Sequence, residues 1–247
     1  MRAALRDYAI LTQIQVLELR TWGPITAFAT TLFPMMMIFG FGVIGGGVAP
    51  AGLIYVVTGS AVVSLVTIAI TAASQDLGTM RQTGVFQYYA SLPISKVALL
   101  GAVLTVRVLT ALPGLALTLA LGSWLYGLPL SLSPATVVLL PLTVLALSGV
   151  GAAIGVLVTD FRVVALLSQV AFVVVMFASP VLIPAEKLPM PLQWLAYLLP
   201  STYAADGFRR ALFGTPDMQL LIDVAVLTAC ALVSLVGVAR GLPWRLD

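Results

Sequence analysis

Residues 51–96 read AGLIYVVTGSAVVSLVTIAITAASQDLGTMRQTGVFQYYASLPISK, and the change of character at Ser74 decides the fold. From Ala51 to Ala73 no side chain is charged. A helix of that length rises roughly 34 Å at about 1.5 Å per residue, enough to cross a bilayer core about 30 Å thick. From Ser74 onward Asp76, Arg81 and Lys96 appear among Phe86, Tyr88, Tyr89 and Pro93, so the chain leaves the membrane there.

Five more runs of similar length lie on either side: Trp22–Ile44, Val97–Gly122, Ala135–Val158, Val163–Ile183 and Leu220–Ala239. The composition agrees, with 61% hydrophobic and 9% charged residues among 247 and a mean hydropathy of +1.11. A water-soluble domain carries about 25% charged residues. The expected fold is an all-α integral membrane protein with six transmembrane helices. The first run is long and follows a twenty-residue polar-apolar segment, unlike a cleavable signal peptide.

An even number of spans puts both termini on one side, and basic residues mark the cytoplasmic side. With the termini inside, Arg2, Arg6, Arg20, Arg81, Lys96, Arg162, Arg240 and Arg245 fall on the inner face, against Lys187, Arg209 and Arg210 outside. The outer loops Gly45–Pro50 and Ser123–Pro134 carry no charge. Both termini are therefore expected in the cytoplasm, with the chain in the cell's inner membrane. Arg107 is the exception, and two readings stand: a guanidinium at the headgroups with the crossing beginning after it, or a polar contact inside the bundle.

Three segments do not cross. Residues 1–21 read as an amphipathic interfacial elbow helix, with Arg2, Arg6, Gln13 and Arg20 on one stripe and Leu5, Tyr8, Thr12, Val16 and Leu19 beside it. Packing on protein is the other reading of that face. The loop 74–96 is too long for a tight joint and suits a short aromatic-faced helix, docked on a cytoplasmic partner or on the membrane surface. Residues 184–219 are divided by Pro184, Pro189, Pro191, Pro200 and Pro216, and PLQWLAYLLP is too apolar for a solvated loop yet too short to span. Short re-entrant outer helices between spans 5 and 6 are expected there, sheltered by protein. Spans and loops together make a domain over 22–239, and residues 240–247 form a cytoplasmic tail.

Several kinds of chemistry are excluded. There is no histidine, and Cys230 is the single cysteine, so disulfide frameworks, zinc sites and Ser-His or Cys-His centres are absent. No metal site or cofactor site is expected in this chain. Twelve scattered basic residues make no nucleic-acid footprint. Neither a G-x-x-x-x-G-K-[ST] phosphate cradle nor a GxSxG elbow occurs. Asp160 and Asp223 sit at run ends, where headgroups and water are expected to satisfy them. With no carboxylate in mid-span to bind a coupling ion, any transport must draw its energy from elsewhere.

Two polar patterns remain inside the spans. Ser60, Ser64, Thr67 and Thr71 follow i, i+4, i+7, i+11, a stripe about 60° wide on an ideal helix. Gln169, Phe172 and Met176 share a face of the fifth span at i, i+3, i+7. Each pattern reads either as a substrate path for an amphipathic molecule or as helix packing. Gly151 and Gly155 form a GxxxG packing step.

Two stretches carry a family resemblance. Asp76-Leu77, Gly84, Phe86, Leu92-Pro93-Ile94-Ser95-Lys96 and Leu99-Leu100-Gly101 form the first. The second runs from Leu188-Pro189 through Leu199-Pro200-Ser201-Thr202-Tyr203 to Phe208-Arg209-Arg210-Ala211-Leu212-Phe213-Gly214, with Leu199 where the family commonly has Asn. Together with the elbow, six spans and outer cap, they make the chain similar to the membrane subunit of an ABC-2 type exporter, and most similar to the daunorubicin-resistance permeases. The resemblance implies two copies of a separate ATP-binding subunit, where ATP and magnesium would bind, and a second permease subunit, as a homodimer or as the other half of a paired heterodimer. It implies a docking helix in the 74–96 loop, with Asp76, Arg81, Gly84, Phe86, Tyr88 and Pro93 as coupling residues. It also implies a path lined by the second and fifth spans, for a drug, a lipid or a similar amphipathic substrate. The rivals are a self-contained channel or ion-coupled carrier and, within the family, a polysaccharide or glycolipid exporter permease.

Overall fold

The structure is a computed structural model, which describes residues 2–41, 50–91, 96–131, 133–182, 184–214 and 217–241. Its ten α-helices, among the described residues, are α1 (Arg2–Phe39), α2 (Pro50–Val66), α3 (Ala73–Gln82), α4 (Val85–Ser91), α5 (Lys96–Tyr126), α6 (Pro134–Leu157), α7 (Phe161–Ala178), α8 (Met190–Leu198), α9 (Pro200–Phe213) and α10 (Met218–Gly241). No strand occurs among the described residues. Among the described residues five stretches are long and apolar enough to cross a membrane: Gly52–Gln82, Gly101–Tyr126, Pro134–Leu157, Phe161–Ala178 and Met218–Val238. The expected first span appears as a shorter apolar stretch, Thr30–Phe39, and residues 42–44 of it lie outside the described residues.

The helix ends follow local chemistry. Ser133 caps α6 by accepting from the Ala135 N–H at 3.3 Å, with Pro134 at the first position, where its missing donor costs nothing. Asp160 caps α7 by accepting from the Arg162 N–H at 2.8 Å. Gly84 (φ 71°) and Gly127 (φ 63°) take the left-handed conformation just after α3 and α5 and stop them.

The core is built around the second span. Its most apolar window is 78% buried, against 17% for the Met218–Val238 helix, so one helix is central and the other peripheral. Val57, Val62, Leu65, Ile68 and Ile70 are fully buried along it. Helices α5 and α6 reach it through glycines. A Cβ on Gly122 would stand 2.6 Å from the Val57 methyls, and one on Gly151 would stand 2.5 Å from the Ala69 carbonyl oxygen. Gly155 sits likewise on the Ser74 carbonyl, 2.6 Å from a built Cβ. The GxxxG step therefore packs on backbone, the close approach that small residues permit between membrane helices.

The structure differs from the sequence expectation in three places. First, Ser74–Gln82 is not loop: α2, a π-helical turn at Thr67–Ala72 and α3 run on as one helix from Pro50 to Gln82. Polar side chains end the hydrophobic run at Ser74, but nothing in SQDLGTMRQ stops a helix before Gly84. Second, α1 is unbroken from Arg2 to Phe39, with no joint at residue 21. Its Tyr8 hydroxyl bonds the Thr105 hydroxyl at 2.8 Å, and Leu11 packs with Leu99 and Ala102, so that stretch lies on α5. The face of Tyr8 and Thr12 that sequence offered to lipid or protein meets protein, while Ile10, Ile14 and Leu17 stay exposed. Third, α7 ends at Ala178, and Ser179, Pro180 and Val181 continue it as buried irregular chain.

Gly151→Ala is expected to lower the stability of the solubilised protein by roughly 1–3 kcal/mol, because backbone rather than a flexible side chain blocks the new methyl. Gly237→Ala, with open space at that position, serves as the neutral control. Thermal denaturation in detergent checks both, and equal melting of the two variants would refute the close α2–α6 contact.

Candidate functional site

Two polar constellations sit at opposite ends of the bundle. At the α4 end, helix α3 carries Asp76 and Arg81 beyond the apolar part of the second span. Asp76 forms an ion pair with Arg107 of α5, whose side chain is only 16% exposed. Arg81 donates to the carbonyl oxygen of Val156 in the last turn of α6, which lacks an intrahelical partner. Arg107 therefore has a charged partner on a neighbouring helix. Both charges of α3 are thus committed to the protein itself, and they fasten the helix to α5 and α6.

Beyond them Gly84 turns the chain into α4. Tyr89 packs with the Leu11, Leu99 and Ala102 cluster, whereas Tyr88 is 64% exposed and meets Tyr89 at 5.9 Å between ring centroids. Phe86 lies on the same short helix. Pro93 lies outside the described residues. Sequence reasoning chose Phe86 and Tyr88 and passed over Tyr89, which anchors the helix; period alone cannot separate an anchored ring from a free one in a seven-residue helix.

The opposite, cap end holds a cluster that sequence reasoning missed. Where α7 stops, the carbonyls of Pro180 and Val181 face inward, and Arg209 of α9 donates to both, at 2.5 and 2.9 Å. Its guanidinium also bonds Asp206 at 3.0 Å and lies 4.0 Å over the Tyr55 ring of α2. Burial lowers the Arg209 pKa from its ordinary value, with Tyr55 and Asp206 acting against the shift. Arg210 bonds Asp217 at 2.5 Å and lies 3.6 Å from Asp206 and 3.9 Å from Asp223. Asp223 is 1% exposed, so headgroups and water do not satisfy it; Arg210 faces it instead. An ionisable residue within an apolar run was the signal available for this end.

The predicted path residues are divided by their surroundings. Ser60 and Ser64 are fully buried, and Ser64 donates to its own helix at the Ala61 carbonyl, 2.7 Å away. Ser64 also backs onto Gly114 of α5, 3.6 Å from a Cβ built there. Thr67 and Thr71 lie in the π-helical turn and are half-buried. The i→i+5 winding shifts the register of everything past it, so the four hydroxyls do not keep the straight stripe of an ideal helix. Phe172 is buried edge-on against Phe33 at 6.0 Å, Met176 is half-buried beside the core, and Gln169 is exposed. Among the described residues no group of His, Cys, Asp and Glu is arranged to hold a metal.

A bundle of long apolar helices, fastened internally at both ends and offering an aromatic helix at one of them, defines a multi-pass membrane protein. The chain belongs to the ABC-2 type transporter family, whose model matches residues 7–213, from α1 to the end of α9. It is thus an ABC permease subunit, a membrane transport component of a family that normally works with an ATP-binding subunit. No curated protein sequence matches the chain.

Two measurements check this geometry. Arg209→Gln is expected to cost roughly 3 kcal/mol, since two buried carbonyls and Asp206 lose a charged donor together; a melting temperature equal to wild type would refute the role. Asp76→Asn and Arg107→Gln should be non-additive in stability by about 1 kcal/mol, the modest value of a pair with one exposed partner. Simple additivity would dissolve the pair.

Proposed function

We propose that the chain is one half of an ATP-driven exporter that moves an amphipathic substrate, a drug or a lipid, outward across the cytoplasmic membrane. The observation that carries this is the unbroken helix Pro50–Gln82 ending at α4, because a force applied to α4 is delivered to the most buried span of the bundle. Asp76–Arg107 and the Arg81 bond to Val156 stiffen that lever where it meets α5 and α6. The π-helical turn at Thr67–Ala72 supplies a point of weaker hydrogen bonding within it, the kind of irregularity at which long helices bend.

In this reading α4 docks on a separate ATP-binding subunit through Phe86 and Tyr88, with Gly84 as the turn before it and Pro93 as a further coupling residue. Two such subunits, holding ATP and magnesium, drive two permease chains paired as a homodimer of the daunorubicin-resistance type. The α1 segment serves as a sixth span, both termini lie in the cytoplasm, and α8 and α9 are the re-entrant pair. Support for that last point comes from Pro200, which lines the same groove as Ala146 and Cys230, each about a dozen residues into its helix. On this reading the start of α9 dips to the depth of that groove. Thr67, Thr71, Gln169 and Met176 are the path residues with surface to offer. Ser60, Ser64 and Phe172 join the path only if α2 and α7 separate from their neighbours.

Tyr88→Ala is expected to reduce substrate-stimulated export by the reconstituted complex at least about tenfold, with membrane insertion and melting unchanged, since its ring is mostly exposed. Phe86→Ala is expected to do the same. Unchanged export with unchanged partner ATPase in both variants would refute the docking role. Flux through liposomes holding this chain alone, without any ATPase, would favour a channel or ion-coupled carrier.

A further inference from the structure

A cavity in the bundle lies away from the cap-end cluster and from the proposed path. It is a groove of about 690 Å³ between α6 and α10. Its walls are Val150, Ala153 and Leu157 on one helix and Val233 and Gly237 on the other, joined by Pro200 of α9. Leu157 and Val233 are 72% and 73% exposed, so the groove opens sideways to whatever surrounds the bundle. Nothing stands within 4 Å of a Cβ built on Gly237, which leaves its floor empty.

We propose that this groove holds one acyl chain of an anionic lipid from the inner leaflet, bound as a resident lipid rather than as cargo. Three observations support that occupant. The first is length: Ala146 to Leu157 covers roughly 16 Å of helix rise, which is one leaflet of a core about 30 Å thick. The second is lining: the walls are apolar apart from Ser234 and Cys230, which suits an acyl chain. Pro200 of α9 adds a further apolar contact to that lining.

The third is charge. Val233, Gly237 and Arg240 follow i, i+4, i+7 on α10, so Arg240 stands on the groove's own face one turn below its mouth. Arg240 is exposed and has no ion pair among the described residues. Arg81 reaches the Val156 carbonyl on the other wall, bringing a second cation to the same end. Basic groups between membrane helices at the cytoplasmic face select anionic headgroups. Transfer of an acyl chain from bulk lipid to an apolar groove gains little, because lipid tails are as apolar as the wall. Headgroup charge therefore sets the preference, and shape sets the retention. The leaflet assignment rests on the proposed orientation of the chain; the binding itself does not depend on transport.

The test is native mass spectrometry of the full chain released from nanodiscs holding phosphatidylglycerol and phosphatidylcholine with identical acyl chains. Wild type is expected to retain one lipid, with phosphatidylglycerol favoured about tenfold, as two nearby arginines suffice to give. Gly237→Leu, which fills the floor, is expected to lose retained lipid of both kinds. Arg240→Gln is expected to keep a lipid but lower the preference to about threefold, since Arg81 remains, and this surface variant carries the test if Gly237→Leu does not insert. No retained lipid in wild type, an equal preference in wild type, or a preference untouched by Arg240→Gln would overturn the proposal. So would an oxidative disulfide between Cys230 residues of two copies in native membranes, which would place a second copy on the groove. Loss of export in the docking variants leaves each of these readouts unaffected, so the two proposals fail separately.

Discussion

The guanidinium of Arg209 is the contact on which the cap end depends. Helix α7 stops inside the bundle, where no solvent reaches the carbonyls of Pro180 and Val181, and an unsatisfied carbonyl in such a place costs more than a hydrogen bond ordinarily gains. One planar cation satisfies both, pairs with Asp206 and rests on the Tyr55 ring, so α2, α7 and α9 meet at a single side chain. The close seat of Gly59 against the Val181 carbonyl follows from the same junction, because a side chain there would displace it. Arg210, one residue on, ties α9 to Asp217 and faces the buried Asp223 of α10. A short helix of little overall apolarity can thus be buried over Ala204, Ala205, Phe208 and Leu212 because its charges are answered locally.

The opposite end is organised by the same rule with a different outcome. Polar residues of α3 follow the apolar span without breaking the helix, and two of them find partners on α5 and α6. What remains free is the outer face of α4, with Tyr88 presented and Tyr89 holding the helix to the α1–α5 contact. A rigid element buried at one end and exposed at the other suits transmission of movement. Between these ends the π-helical turn seats α6 through Gly151, whose missing side chain lets Ala69 and Ile70 carbonyls come near.

Much of this was legible in residue order, and the failures are instructive. Runs such as Ala135–Val158 and Leu220–Ala239 match their helices within a few residues, because apolar length answers directly to bilayer thickness. The second helix runs on past the expected span end because hydrophobicity reports where the membrane ends, whereas helix ends are set by caps and by glycines such as Gly84. The Ser60 to Thr71 stripe assumed constant winding, and one π-helical turn removes that premise. Asp223 was expected to be satisfied by headgroups and water because it sits near the end of an apolar run, and Arg209 was placed only among the outer charges, yet α9 covers the one and α7 ends over the other.

By itself, the order of residues determined that this chain lives in a membrane, that it is helical, that it carries no nucleotide cradle, and where an aromatic helix leaves the bundle. Those properties are local sums over composition and spacing, and they hold whatever the helices pack against. Only the tertiary structure decided which charges face one another, that Arg107 meets Asp76 and Arg209 meets the end of α7, and that α6 and α10 leave an open groove between them. Partners of that kind lie tens of residues apart along the chain, and side-chain pairing across such separations is set by how helices cross, which no periodicity within a single helix records.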